Sequence, residues 1–321
     1  MTVPTLVQTT TSDLALLPQV EVEATRQFLA AQVSEATLRA YRTDARIFSG
    51  WCVSRGVSAM PASAEVVATY VSSMATEGAK FSTINRRLAA IRFAHEAADL
   101  ESPTSSRTVR AAVAGIRRTI GTAQTKKAPA TGATIVEMIR LCPATLTGLR
   151  DKAMLLIGFA GAFRRSELVA LRVEDVVEVD GGLRVMIRRS KTDQDGAGQE
   201  IAIARGAVHC PVQALKTWLA AAEITEGPIF RKVTHGNRVL DNALTDRAVA
   251  LLVKSCAKRA GLEADDFGGH SLRAGAITSA AERGAALLKM AELSRHKSLD
   301  VLRGYVRSAE LFKDHALGGV L

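Results

Sequence analysis

His270-Ser271-Leu272-Arg273 places an imidazole and a guanidinium three positions apart, and His296 and Tyr305 follow toward the C-terminus. On a helix, residues so spaced share a face. A second imidazole and a phenol brought beside them would form a cationic pocket around a nucleophile, and such a pocket suits a phosphate. A free phenol has a pKa near 10, so holding it as phenolate at pH 7 costs roughly 4 kcal/mol unless a base or nearby cations help. The sequence contains 3 tyrosines. Tyr41 and Tyr70 fall in apolar stripes, which leaves Tyr305 as the candidate nucleophile.

Two upstream segments could complete the pocket. Gly161-Ala162-Phe163-Arg164-Arg165-Ser166-Glu167-Leu168 sets an arginine one turn ahead of a glutamate at a helix start. Glu167 can there orient a guanidinium or cap backbone amides. Ser190-Lys191-Thr192 follows a predicted strand, and a hairpin tip could carry that lysine out toward a substrate. Taken singly, an Arg-x-x-Glu pair is ordinarily a surface ion pair and a turn lysine is ordinarily solvated.

The elements that must position these residues read as two parts. After a Thr-rich start, residues 1–22, taken as a flexible tail, residues 23–120 form a helical bundle. Ser34, Ser63, Ser82 and about Ser106 open its helices, with Gly56 and Gly78 as stops. Apolar stripes run through Phe48 and Cys52, Val67 to Met74, Ile84 to Ile91, and Val109 to Ile120. Arg39, Arg42 and Arg46 flank one stripe and Arg86 and Arg87 another, giving basic outer faces suited to phosphate contacts. For any one of them, a solvated face is the plainer reading. Residues 121–133, rich in Gly, Thr, Ala, Lys and Pro, read as a linker.

The second part, 134–307, is again mostly helical, but the period changes beyond Leu171. Val176–Val179, Leu183–Ile187 and Gln199–Ile203 alternate as three short antiparallel strands around an Asp180-Gly181-Gly182 turn. The expected fold is thus mainly α with one small antiparallel β-sheet.

Composition bounds the function. The 321 residues are 47% hydrophobic, enough for two domains with separate cores, and the net charge of +10 is spread over both parts. A basic balance favours an extended polyanion as partner, through counterion release. Cys52, Cys142, Cys210 and Cys256 have the spacing of neither a disulfide framework nor a zinc site. No signal peptide and no membrane-length apolar run is evident, so a cytoplasmic location is expected.

In order and context, Arg164, Lys191, His270-x-x-Arg273, His296 and Tyr305 resemble the active-site signature of the tyrosine recombinases, the phage-integrase family. The match extends to Arg-x-Ser-Glu-Leu, Gly-His-Ser-Leu-Arg, Leu-Ser-Arg-His, and a tyrosine nine residues after that last histidine. The resemblance implies a SAM-like helical core-binding domain before a tyrosine-recombinase catalytic domain. It implies double-stranded DNA with specific recombination sites as substrate, and a homo-tetramer on two sites. The apolar segment 308–321 would dock on a neighbouring protomer, with packing back in cis as the alternative.

The chemistry follows. Arg164 and Arg273 would clamp the non-bridging oxygens of a pentacoordinate phosphorane, where losing one such donor costs on the order of a hundred- to a thousandfold in rate. Lys191 would protonate the leaving 5′ oxygen, His270 accept or relay the phenol proton, and His296 hydrogen-bond the phosphate. Tyr305 would hold a 3′-phosphotyrosine, from which rejoining needs neither ATP nor a metal, so no cofactor is expected. Three functions fit: a site-specific recombinase, a type IB topoisomerase-like nicking-closing enzyme, and a DNA-binding protein without catalysis. An accessory DNA-binding protein is compatible with the first.

Overall fold

The structure, a computed structural model, describes residues 18–123, 127–190, 197–296 and 298–309. The chain divides into two compact units, Met1–Thr125 and Lys126–Leu321.

The first unit comprises α1 (Gln19–Ala31), α2 (Glu35–Val53), α3 (Ala64–Thr76), α4 (Phe81–Glu96) and α5 (Arg107–Ile120). Three of the four expected caps form: Ser34, Ser63 and Ser106 accept from the amides of Thr37, Val66 and Val109, satisfying donors that a helix start leaves open. Ser82 does not cap. The helix begins one residue before it, behind Lys80, which makes no side-chain capping bond. The segment read as a tail also differs, because α1 starts at Gln19 inside the 1–22 range. Phe48, Cys52, Val67, Tyr70, Val71, Met74, Ile84, Ile91, Val109 and Ile116 close the core, so the stripes read from periodicity are the ones that meet.

The second unit continues with α6 (Gly132–Arg140), α7 (Leu146–Ala160) and α8 (Arg165–Ala170). Then come β1 (Val176–Val179), β2 (Gly182–Ile187), β3 (Gln199–Ala204), α9 (Pro211–Ala221), β4 (Arg231–Val233), β5 (Val239–Ala243) and α10 (Asp246–Arg259). The last described elements are α11 (Ser271–Glu282), α12 (Leu287–Ser294) and α13 (Leu299–Ala309). β1, β2 and β3 form an antiparallel sheet with β2 central. The pairs Leu183↔Ile203 and Val185↔Ile201 point inward, and Arg184↔Ala202 between them points out. This alternation is what a sheet with one covered face requires. β4 and β5 add a two-stranded ribbon with a register shift, too short for periodicity to have revealed.

The core of this unit joins α7, the inner sheet face, α9 and α10. Trp218, fully buried, donates its indole N–H to the Ile229 carbonyl at 2.9 Å. The end of the expected linker is already part of this unit. Ala130 N–H donates to Ser271 O at 2.9 Å, and α6 begins at Gly132, inside the 121–133 range. This approach depends on Gly275, where a Cβ would lie 1.8 Å from the Ala130 carbonyl oxygen. A smaller cluster of Ile277, Ala281, Met290 and Leu302 ties α11, α12 and α13 together, with Tyr305 and Val306 packed on it. No helix among the described residues is long and apolar enough to cross a membrane.

Candidate active site

The site is built from the loop between α7 and α8. Arg164 occupies the N-cap position of α8 in extended conformation, so its side chain leaves the helix start rather than lying along it. Glu167, one turn on, serves both roles that its spacing allows. Its Oε2 accepts the Arg164 backbone N–H at 2.9 Å, and its Oε1 accepts from Arg164 Nη1 at 2.6 Å. The Glu167 side chain is 1% exposed, which makes this a buried bridge rather than a surface pair. Burial pushes its carboxyl pKa up, but the guanidinium groups of Arg295 and Arg164 outweigh that and hold it below the usual range.

Arg273 comes in from α11. It is buried at 3% exposure and donates from Nη1 to the Ala162 carbonyl at 2.8 Å. Burial, then Arg164 and Arg295, pull its pKa down to about 9, which leaves it cationic at neutral pH. Tyr305 on α13 lies within electrostatic reach of the same guanidinium. His270 sits exposed at the N-cap of α11, where its charge would act on His296. Just before it, the Arg165 side chain crosses Gly269, where a Cβ would meet its Cδ at 1.7 Å unless that arginine moved aside.

His296 follows the end of α12, with Arg273 Nη2 at 3.3 Å from Nδ1 and 3.5 Å from Nε2. Its tautomer follows from Ser294. That hydroxyl is fully buried and lies 2.6 Å from the Met290 carbonyl, which can only accept, so its single proton goes there. The other contact, 2.7 Å to His296 Nδ1, must then have the ring as donor. Nε2 is left with the lone pair. Burial first, then Arg273, Arg164, Arg295 and His270, lower the imidazole pKa to about 4. A neutral ring in this state accepts at Nε2 but cannot donate there. A hydrogen bond to a phosphate oxygen therefore requires the ring to take up a proton, which an anion held among these cations favours.

Of the sequence candidates, Arg164, Glu167, Arg273 and His296 are joined by contacts, and Tyr305 and His270 act on the same groups. Lys191 lies outside the described residues, as does most of the 308–321 segment. The strand leading to that lysine is anchored by Arg188 Nε donating to buried Asp175 at 2.5 Å. In the first unit Arg39, Arg42 and Arg46 are exposed without ion pairs among the described residues. Arg86 and Arg87 are differently placed. Arg86 donates to both Asp44 carboxylate oxygens from Nε and Nη2 at 2.7 and 3.0 Å, and Arg87 donates to the Tyr70 hydroxyl at 3.0 Å. Arg87 is largely covered, whereas Arg86 keeps about half of its side chain exposed while it pairs with Asp44. The residue that sequence reasoning passed over is Arg295, whose guanidinium is buried among Glu167 and two loop carbonyls. The motif Leu-Ser-Arg-His was its only sign.

Two guanidinium groups anchored on one loop, with Tyr305 in electrostatic reach of Arg273, make a cationic site suited to a phosphate on a mainly helical scaffold with a small sheet. Comparison with known proteins agrees. Residues 130–311 match the phage integrase family model, and residues 27–102 match its N-terminal SAM-like domain. An integrase/recombinase xerD homolog of Selenomonas ruminantium is 42% identical over 290 residues, covering 88% of this chain and 85% of that protein. The recombinase cre of Escherichia phage P1 is 24% identical, covering 86% and 85%. The solved fold of XerH recombinase bound to a palindromic difH substrate superposes with a TM-score of 0.60 at 16% identity, covering 90% of this chain and 81% of that one. A λ integrase dimer on a core site gives 0.53 at 16% identity, covering 89% and 75%. The chain belongs to the phage integrase family, the tyrosine recombinases, enzymes that cleave and rejoin DNA.

Proposed function

We propose that the protein is a site-specific DNA recombinase in which Tyr305 attacks the scissile phosphate, displacing the 5′ hydroxyl and forming a 3′-phosphotyrosine. The observation that carries this reading is the convergence of Arg164 and Arg273 on one loop, with Tyr305 acting on Arg273. Two guanidinium groups there neutralise the non-bridging oxygens as the phosphorane forms. His296, in its protonated form, hydrogen-bonds one of those oxygens, His270 relays the phenol proton, and Lys191 protonates the leaving oxygen. The covalent linkage conserves bond energy, so a 5′ hydroxyl from a second duplex can reverse the step. Repeating it pairwise exchanges strands through a Holliday junction on two specific duplex sites. A homo-tetramer meets that need, with segment 308–321 docking between protomers and an accessory DNA-binding protein compatible. Exposed Arg39, Arg42 and Arg46 supply phosphate contacts; Arg86 and Arg87 contribute less, being engaged by Asp44 and Tyr70.

Mapping protein-linked 3′ ends across the replicon that encodes the chain tests this reading. Discrete sites are expected with the wild type and none with Tyr305→Phe, which still binds those sites. Covalent adducts formed by that variant would reject Tyr305 as nucleophile. Plasmid relaxation by the wild type without recombinants would favour the topoisomerase-like function instead.

A further inference from the structure

Among the described residues, Arg295 is the buried charge at this site without an assigned task. It stands at the C-cap of α12 with φ 57° and ψ 41°, a left-handed conformation that glycine adopts freely and an L side chain resists. Its side chain is 2% exposed, so a cation has also been taken out of water, which is unfavourable unless fully paired. Its four Nη protons are paired, while Nε is buried without a partner among the described residues. Nη1 donates to Gly161 O at 3.0 Å and Leu293 O at 2.7 Å, and Nη2 to Ala162 O at 3.0 Å and Glu167 Oε2 at 2.8 Å. The guanidinium carbon lies 5.3 Å from the Phe163 ring centre.

Most of these contacts fall on residues 161–167, the segment carrying Arg164. Glu167 holds Arg164 Nη1 with one oxygen, while its other oxygen is held by Arg295. The Arg295 carbonyl lies 3.5 Å from Arg164 Nη2. The Ala162 carbonyl that anchors Arg295 is also the one that anchors Arg273. His296 is the next residue in the chain. Arg295 therefore meets the supports of both clamp arginines and sets the turn from which the second imidazole departs.

We propose that Arg295 is a positioning residue for DNA cleavage: its guanidinium holds the buried Glu167 carboxylate in place, and through Glu167 it aims Arg164 at the phosphate. The proposal rests on the phosphotyrosine reading above. Glu167 is faced by Arg164 from its own loop, Arg295 from the end of α12 and Arg273 from α11. Asp175, Arg188 and Arg189 line the adjoining cavity. Without Arg295 the burial of Glu167 loses its main offset, and the protonated carboxyl gains ground as pH falls.

The test uses the full chain and the duplex recovered by mapping its protein-linked ends. Arg295→Gly suits the left-handed backbone and removes only the side chain. Single-turnover adduct formation is expected to fall by about a hundredfold at neutral pH, the scale of a misplaced catalytic group, with DNA affinity retained. The rate should fall further toward acid pH. Arg295→Gly/Glu167→Gln should lose that acid limb, and Arg295→Lys should suppress it by restoring a charge beside Glu167. The Glu167 carboxyl carbon, followed by NMR titration without DNA, should titrate at higher pH in Arg295→Gly than in the wild type. That readout and Arg295→Lys keep the test decisive if the glycine variant folds poorly under assay conditions. An active wild type with a wild-type rate and pH profile in Arg295→Gly overturns the proposal. So does a rate loss matched by an equal loss of DNA affinity with Glu167 titrating unchanged. A wild type forming no adduct would instead defeat the phosphotyrosine reading beneath it.

Discussion

Removing the Ser294 hydroxyl should change which nitrogen of His296 carries the proton. In the wild type that hydroxyl gives its proton to Met290 O at 2.6 Å and accepts from Nδ1 at 2.7 Å. Ser294→Ala leaves a buried Nδ1–H without its acceptor. A net hydrogen bond of about 1 kcal/mol, rising to about 3 for a buried group left unpaired, biases the tautomers by roughly five- to one-hundred-and-fifty-fold. The wild-type ring should therefore be mainly Nδ1–H, and the alanine variant substantially Nε2–H, where the Nδ1 lone pair accepts from Arg273 Nη2 at 3.3 Å. Long-range ¹H–¹⁵N correlation on ¹⁵N-histidine-labelled protein reads the tautomer directly, and His296→Asn assigns the resonance among 6 histidines. Ser294→Thr, which keeps a hydroxyl, should keep the wild-type pattern. A wild-type ring found mainly as Nε2–H, or an alanine variant with an unchanged tautomer, would refute the reasoning from the hydroxyl proton.

Without DNA, His296 should titrate near 4. Between there and its ordinary 6.5 the unfolded chain binds the proton and the folded chain does not, so stability should decline as pH falls through that window. Urea denaturation at several pH values should show a smaller decline in His296→Asn. Changing Arg39, Arg42 and Arg46 together to alanine should weaken DNA binding and flatten its log–log salt dependence by up to about 2.7, read by fluorescence anisotropy. Arg87→Ala should instead lower the unfolding midpoint, because it strips a partner from buried Asp44 and Tyr70. Gly275→Ala puts a methyl 1.8 Å from the Ala130 carbonyl oxygen and should destabilise the second unit by about 1–3 kcal/mol, the scale of overpacking.

Much of the scaffold was legible because its signals are local. Serine caps at 34, 63 and 106, the apolar stripes between them, and the alternation of Leu183, Val185 and Ile187 against Ile201 and Ile203 need only neighbouring residues to be read. The misses lacked such signals. α4 starts behind Lys80 without a capping side chain, and β4 is three residues long.

For the site, residue types and order alone pointed to the proposed chemistry: arginines 164 and 273, histidines 270 and 296, Glu167 and Tyr305 suit an attack of a phenol on phosphate. The tertiary structure decided how each is held. Asp44, buried in the bundle, pairs with the half-exposed Arg86 from 42 positions away. Arg295 reaches Glu167 across 128 positions, and a motif residue with no evident task becomes the brace of the clamp. A charge read in sequence carries no record of its distant partner, because periodicity reports only which face of an element is apolar. Where a guanidinium is desolvated and what it binds there are set when the elements pack.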